Sequence, residues 1–566
     1  MIVTVDPSPT EVVHEPTWFG EGDSALFGWL SSPKDDVVRG GVILALPVGF
    51  EARGARKAMR ALATSLAQSG FLALRFDYRG TGDSSGDFGS TLANPGWIED
   101  VASAVDYLRG CGVHDVSAVG MRLGATLVGL AASSSQLDLR SVVAWDPCES
   151  GRGFLRELRA LETLRHQDVA EYVDGSVETA EFLFAPDMVE SIKSLKLLES
   201  TPALWAKRAL VISREGRPLS TSLREHLDAG NVEFETTTEQ ESSIGIHPFF
   251  SVAPVATITR IVGWLGEDQE ERTIRPQLTP CTRATLSDAE DGRSVVEQVV
   301  RVGPRRLFAI TSEPRTETTS PWIVFLSGVH EDHTGPSRLW VEISRRLAAS
   351  GLRCVRIDLS GSGESPRRAE DPLMRGNDPV WIRDAREIGL SLTPADPTNC
   401  VYVGYCSGAF LAVETAYGSG ARGLCTINLP PSTDFSHVIW RLEDSVSSLA
   451  ARTSAVMRRT IRRHSAVGEL LWLPLRWLLP RRWSTNTMAE IMSRGTRVLA
   501  IVGPADQSAY QNVPLLRRLG GPLTRATRPY PPHLVPTLDH DMSFAQGRRD
   551  MAEVLESFVL SEFLTK

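Results

Sequence analysis

With 566 residues, 42% of them hydrophobic and 23% charged, the chain is too long for one ordinary core and too apolar to be disordered, so two large domains are the simplest expectation. A formal net charge of -9 excludes a general nucleic-acid binder, because no overall basic field is available to neutralise phosphates. Seven cysteines, odd in number and without metal-type spacing, read as reduced thiols rather than a disulfide framework.

In chain order, Met1 to Thr17 mixes acids, prolines and polar residues and lacks the basic start and apolar run of a secretory signal, so a cytoplasmic protein is expected. The first half then reads as strands at 41–47, 71–77 and 116–120 alternating with helices at 56–69 and 95–109. The second half repeats that order with strands at 322–327, 352–359 and 400–404 and helices at 338–350 and 379–392. Further strands at 423–428 and 497–502 and a helix over 545–563 complete it. Strands alternating with helices predict an α/β fold, a mainly parallel sheet flanked by helices, in each half. Motifs recur at a fixed distance: Arg75, Asp77, Gly80, Gly82 and Ser84 return as Arg356, Asp358, Gly361, Gly363 and Ser365, 281 positions on. Trp97 and Gly120 return as Trp381 and Gly404, 284 positions on. A duplication with a short insertion accounts for both spacings. The charged stretch 267–293, with Pro276 and Pro280 and no apolar period, is expected to be a linker between domains at 1–266 and 294–566.

In each half a strand runs into a small-residue turn and then a helix. Such a turn lifts one side chain above the sheet, and glycines two residues before and after it avoid clashes with the adjoining strand and helix. The second half holds Cys406 between Gly404 and Gly408; the first holds Arg122 between Gly120 and Gly124. An arginine stays protonated and cannot be a nucleophile, so the first domain is expected to be catalytically silent.

On these boxes the chain resembles the α/β-hydrolase superfamily twice over, which implies two tandem α/β-hydrolase domains with a helical lid insertion. The first half is also similar to the hydrolases that accompany exosortase systems, through 75–87 and Trp145-Asp146-Pro147 to Glu157. The box Gly404-Tyr405-Cys406-Ser407-Gly408 resembles the cysteine box of polyhydroxyalkanoate synthases, and cysteine also replaces serine in dienelactone hydrolases. The resemblance implies an acid and a base after the nucleophile, each on a loop after a late strand. Asp506 and His540 take those places, with Asp434 as the alternative acid, His533 as the competing base and Ser407 as the rival nucleophile. The oxyanion hole is expected from the backbone N–H groups of Ser407 and Val329. In the first half Glu215 and His247 fall near the corresponding acid and base positions.

Asp77 and Asp358 occur in both halves, including the one without a nucleophile, and are expected to be turn residues. His330-Glu331-Asp332-His333 lacks the helical spacing that aims two imidazoles at one ion, so substrate-mouth polarity is expected and no metal. The lid, at about 430–495, combines Arg462 and Arg463 with Trp472 and Trp477. It reads as a helix packed on its own domain, an acyl pocket whose basic rim receives a carrier-bound phosphate, or a peripheral membrane contact. Its most apolar window, 466–480, contains Glu469, Pro474 and Arg476 and is too short to span a bilayer. The expected function is acyl transfer: Cys406 takes an acyl group from an ester or thioester, with CoA or an acyl carrier protein as candidate carriers, and passes it to water, an amine or an alcohol. No cofactor is implied. The rival is a non-catalytic binding or scaffold protein, since one half has already lost its nucleophile.

Overall fold

The computed structural model describes residues 11–88, 93–165, 174–179, 182–244, 250–267, 273–287, 294–328, 331–368, 379–429, 486–511 and 532–564. The first half builds one sheet from β1 (Val12–Phe19), β2 (Leu26–Pro33), β3 (Gly40–Ala45), β4 (Phe71–Phe76), β5 (Val116–Met121), β6 (Ser141–Trp145), β9 (Arg208–Arg214) and β10 (Val232–Thr237), ordered β1-β2-β4-β3-β5-β6-β9-β10. β7 (Val177–Thr179) and β8 (Phe182–Phe184) form a separate antiparallel hairpin.

The second half builds its sheet from β11 (Arg283–Ser287), β12 (Ser294–Val302), β13 (Leu307–Pro314), β14 (Trp322–Leu326), β15 (Arg353–Ile357), β16 (Cys400–Tyr405), β17 (Gly423–Ile427), β18 (Arg497–Val502) and β19 (His533–Leu534). Its order is β11-β12-β13-β15-β14-β16-β17-β18-β19. Without the outermost β11 it matches the first sheet strand for strand. In both sheets the leading strands are antiparallel, and the parallel set begins at β4 in the first and at β15 in the second.

The central strands are continuous apolar runs, as strands covered on both faces must be. Alternate residues serve opposite layers: Ile43 and Ala45 pack into one core of the first half, Val42 and Leu44 into the other. Val324 and Leu326 face one core of the second half, Ile323 and Phe325 the other.

The stretch expected to be a linker is largely built into the fold. Ile274 pairs with Val38, the Trp18 N–H donates to the Cys281 carbonyl, and β11 joins the second sheet beside β12. The alternating Arg283-Ala284-Thr285-Leu286-Ser287 is a short amphipathic strand whose Leu286 is buried, which the flanking prolines and charges masked.

The halves share an apolar cluster of Trp18, Phe27 and Trp29 with Leu286, Val295, Phe308 and Ile310. The Trp29 and Phe308 rings lie 5.1 Å apart between centroids. Around it the charges pair reciprocally. Arg356 donates to Asp83 at 2.5 Å, and Arg75 donates to Glu364 at 2.7 Å. Arg75 and Arg356, like Asp83 and Glu364, are the repeat equivalents 281 positions apart. This is the arrangement of a two-fold interface, in which each partner offers the same patch.

Other side chains break that symmetry, His333 among them. His333 is buried with Nδ1 2.9 Å from Asp358 and Nε2 2.7 Å from Asp83. Burial opposes charge on the ring, but the two carboxylates override it and raise His333 to about 10. Burial likewise disfavours the Asp83 carboxylate, yet His333 and Arg356 hold it well below the usual range.

Candidate active site

The site forms where β16 ends. Cys406 has φ 50° and ψ -117°, a strained geometry for a residue with a Cβ, and opens the helix Ser407–Ser419. Backbone bonds fix the turn: the Cys406 N–H donates to Ile427, and its carbonyl accepts from Ala409 at 3.1 Å. A Cβ on Gly404 would lie 2.2 Å from the Gly408 carbonyl oxygen, and one on Gly408 would lie 2.2 Å from that of Leu326. Both glycines are therefore required by close backbone approach.

Above the turn the structure brings together the three residues singled out in the sequence. Cys406 Sγ lies 3.6 Å from His540 Nε2, and His540 Nδ1 lies 2.9 and 3.0 Å from the two Asp506 oxygens. Asp506 stands in the first turn of the helix Pro504–Gln511, just beyond β18. The hydrogen bond to Cys406, and after it Asp506, raises His540 to about 10 against the effect of burial. A proton on the ring is stabilised, which is the direction needed for it to receive the thiol proton. His533 is instead exposed on β19.

Asn428, which the sequence reading missed, joins the acid loop to the base loop. It is buried just after β17 with φ 45°. Its side-chain N–H donates to the carbonyls of Asp539 at 2.9 Å and His540 at 3.1 Å, while its Oδ1 accepts the Gly503 N–H at 2.9 Å. A short amide supplies both a donor and acceptor and tolerates positive φ. The same position in the first half is Asp146, with φ 46°.

There the turn is occupied differently. Arg122 repeats the backbone of Cys406, with φ 56° and ψ -123°, and its N–H donates to Trp145. Its buried guanidinium meets Glu51 at 3.0 Å, Asp146 at 3.1 Å and Glu157. Burial pushes the Glu51 carboxyl up, against the pull of Arg122. Glu215, expected near this site, is exposed, and the acids gathered on Arg122 come from other elements. The expectation of a polar substrate mouth at His330–His333 is also corrected for its described members. Glu331 and Asp332 pair with Arg53 and Arg56 of the first half, and His333 is buried in the interface. Asp358 accepts the N–H groups of His333 and Glu364 and so shapes its turn.

Val329, His330, His247, Asp434, Arg462, Arg463, Trp472 and Trp477 lie outside the described residues. Among the described residues no cluster of histidine, cysteine or acidic side chains is arranged to hold a metal, and no helix is long and apolar enough to cross a membrane.

Residues 323–560 match the profile of the alpha/beta hydrolase family. No curated protein sequence matches the chain. Among solved structures, Est1E from Butyrivibrio proteoclasticus with ferulic acid bound aligns with 18% identity over 43% of this chain and 95% of its own, at a TM-score of 0.34. A putative dienelactone hydrolase from Klebsiella pneumoniae aligns with 14% identity over 45% and 99%, at a TM-score of 0.31. Brefeldin A esterase, described as a bacterial homologue of human hormone sensitive lipase, aligns with 16% identity over 47% and 80%, at a TM-score of 0.33.

Proposed function

We propose, from the premise that the second half of the chain belongs to the α/β-hydrolase superfamily, that this half is an acyl-transfer enzyme with Cys406 as nucleophile, His540 as base and Asp506 as the carboxylate that orients the base. The observation that carries the reading is the continuous relay from Sγ through both ring nitrogens to a carboxylate, at 3.6 and 2.9 Å.

In the first step His540 Nε2 takes the thiol proton as Sγ bonds to the acyl carbon of an ester or thioester. The tetrahedral intermediate collapses, and the leaving alkoxide or thiolate departs with the proton from His540. A water, amine or alcohol then attacks the cysteinyl thioester while His540 accepts its proton. Collapse expels Sγ, which regains the proton, and releases an acid, amide or ester. The Ser407 and Val329 N–H groups are the proposed oxyanion donors. CoA or an acyl carrier protein is the proposed carrier where the substrate is a thioester. The first half takes no chemical part, because Arg122 fills the position of the nucleophile with a neutralised cation. A duplication is supported by the shared strand order and the recurring turn geometry.

The test is an acyl-enzyme trap. On incubation with p-nitrophenyl acetate and, separately, acetyl-CoA, mass spectrometry should find an acyl adduct on Cys406, and Cys406→Ala should abolish turnover. An adduct elsewhere, or an active Cys406→Ala protein, would falsify the assignment. Repeating turnover with amine and alcohol acceptors separates transfer from hydrolysis by product.

A further inference from the structure

The structure leads us to infer that the first half is an internal brace for the active site of the second, with Arg53, Arg56, Asp83 and Glu178 as positioning residues that hold the two loops flanking Cys406. This rests on the proposed role of Cys406 and assigns a task to the half that lacks a nucleophile.

The first loop leaves β14 beside the nucleophile. A Cβ built on Gly328 would lie 3.6 Å from Ser407 Oγ and 3.7 Å from Tyr405, so this residue sits directly against the turn. Ser327 Oγ donates to the Asp332 carbonyl at 2.8 Å, tying the start of the loop to its middle. From there the first half takes hold at successive points. Arg53 pairs with Glu331 at 2.5 Å, Arg56 pairs with Asp332, and Asp83 lies 2.7 Å from His333. At the far end Arg338 donates from Nε to the Gly82 carbonyl at 2.8 Å and from Nη2 to the Ser84 carbonyl at 2.7 Å. Ser337 and Arg338 both have positive φ there, at 48° and 71°. A strained backbone of this kind persists where its surroundings determine it, and much of this loop's polar surroundings belong to the other half.

The second loop carries His540. It ends where the helix Ala545–Phe563 begins, and the Ala545 N–H donates to Glu178 Oε1, a buried carboxylate on β7 of the first half. A negative side chain there satisfies a helical N–H and complements the positive end of the helix. Arg548 donates to the carbonyls of Met542 and Ser543 at 2.6 and 2.9 Å, so an anchor on this helix is passed back toward His540. The brace thus grips one loop at the side of the nucleophile and the other behind the base. A displacement of about 1 Å between such groups costs on the order of 100-fold in rate.

The experiment uses full-length protein with Glu178→Ala, Glu178→Gln and the double variant Arg53→Ala with Arg56→Ala, alongside Cys406→Ala. Two readouts are taken: p-nitrophenyl acetate turnover, and the rate at which iodoacetamide alkylates Cys406 as a function of pH. Glu178→Ala and the double variant are expected to lose kcat by about 10- to 100-fold with KM within about 2-fold. In Glu178→Ala the alkylation profile should also shift, because His540 has moved relative to the sulfur. Glu178→Gln retains an acceptor oxygen for the Ala545 N–H and should recover most of the rate. If Glu178→Ala and the double variant keep wild-type kcat and alkylation profiles and lose only thermal stability, the brace is overturned. Should the double variant fail to fold, Glu178→Ala decides by the same criteria. An inert Cys406→Ala beside a fully active Glu178→Ala defeats the brace alone, whereas an active Cys406→Ala defeats the assignment of the nucleophile.

Discussion

The carboxylate on His540 Nδ1 decides which ring nitrogen faces Cys406. Asp506→Asn keeps the size of the side chain but presents an amide that favours the wrong tautomer, and a loss of about 10⁴-fold in kcat is expected with the fold intact. The same change removes one of the interactions that raise His540 to about 10, so an NMR titration of the ring should move toward lower pH. An unshifted titration would remove Asp506 from the role. Asn428→Ala leaves the Gly503 N–H and the carbonyls of Asp539 and His540 without their shared partner; about 1–3 kcal/mol of stability should be lost in urea denaturation, together with activity. Cys406, Asp506 and His540 are legible in the sequence because each lies next to a local signal: a glycine-framed turn, a strand end, or the loop before a final helix. Asn428 carries no such signal beyond the end of a strand, and Glu178 meets its partner 367 residues away. Asp146 and Glu157 stood in a stretch singled out by resemblance, but their convergence with Glu51 on Arg122 was hidden, since the three acids come from separate elements.

Among the elements, the two strand-turn-helix units share one backbone and hold different side chains at its apex. Arg122 and Cys406 share their dihedral angles and their hydrogen bonds to the neighbouring strand, yet one is locked among three acids and the other faces an imidazole. Replacing Arg122 by methionine would leave the buried Glu51 carboxylate without its cation, while Asp146 keeps Arg214 and Glu157 keeps Arg217, and a destabilisation of about 3–5 kcal/mol is expected in chemical denaturation. A variant as stable as the wild type would show that the acids can be accommodated without the cation. The central strands were readable from their apolar runs, and the order of elements from the repeat. β1 and β12 were not, because strands at a sheet margin mix polar with apolar residues and give no continuous apolar signal; the runs Leu26 to Leu30 in β2 and Leu307 to Ile310 in β13 are apolar but were not read as strands. β11 escaped for the related reason that five residues among prolines and charges resemble a tether. The helix over 50–68 begins six residues before its expected start, since its first turn, Phe50 to Gly54, mixes charged and small residues with a single apolar one.

Across the whole molecule the interface couples the halves to pH in a definite direction. His333 is raised from the ordinary 6.5 to about 10, so its contribution is complete below about pH 6.5 and is lost as pH rises through about 10. Glu364 is lowered from 4.5 to about 2, because Arg75 and Arg60 outweigh its burial; its contribution is present above about pH 4.5 and is lost as pH falls toward 2. The seam is therefore held best between these limits. Melting temperatures should decline from about pH 6.5 toward pH 10, and His333→Gln, which cannot titrate, should flatten that limb; an equal slope in both proteins would show that the histidine does not carry it.

The reciprocal pairs have one more consequence. Each half carries both the arginine and the acid of its own seam, Arg75 with Asp83 and Arg356 with Glu364, so each surface is complementary to a copy of itself. Produced as separate polypeptides, either half has the means to homodimerise in competition with its natural neighbour. What favours the mixed pair is the set of contacts without a repeat counterpart: His333, Arg338 and Arg345 reach across from the second half, and Arg53, Arg56 and Glu178 from the first. Covalent linkage in one chain removes that competition by making the unlike partner the nearest one, and leaves the unlike contacts free to diverge.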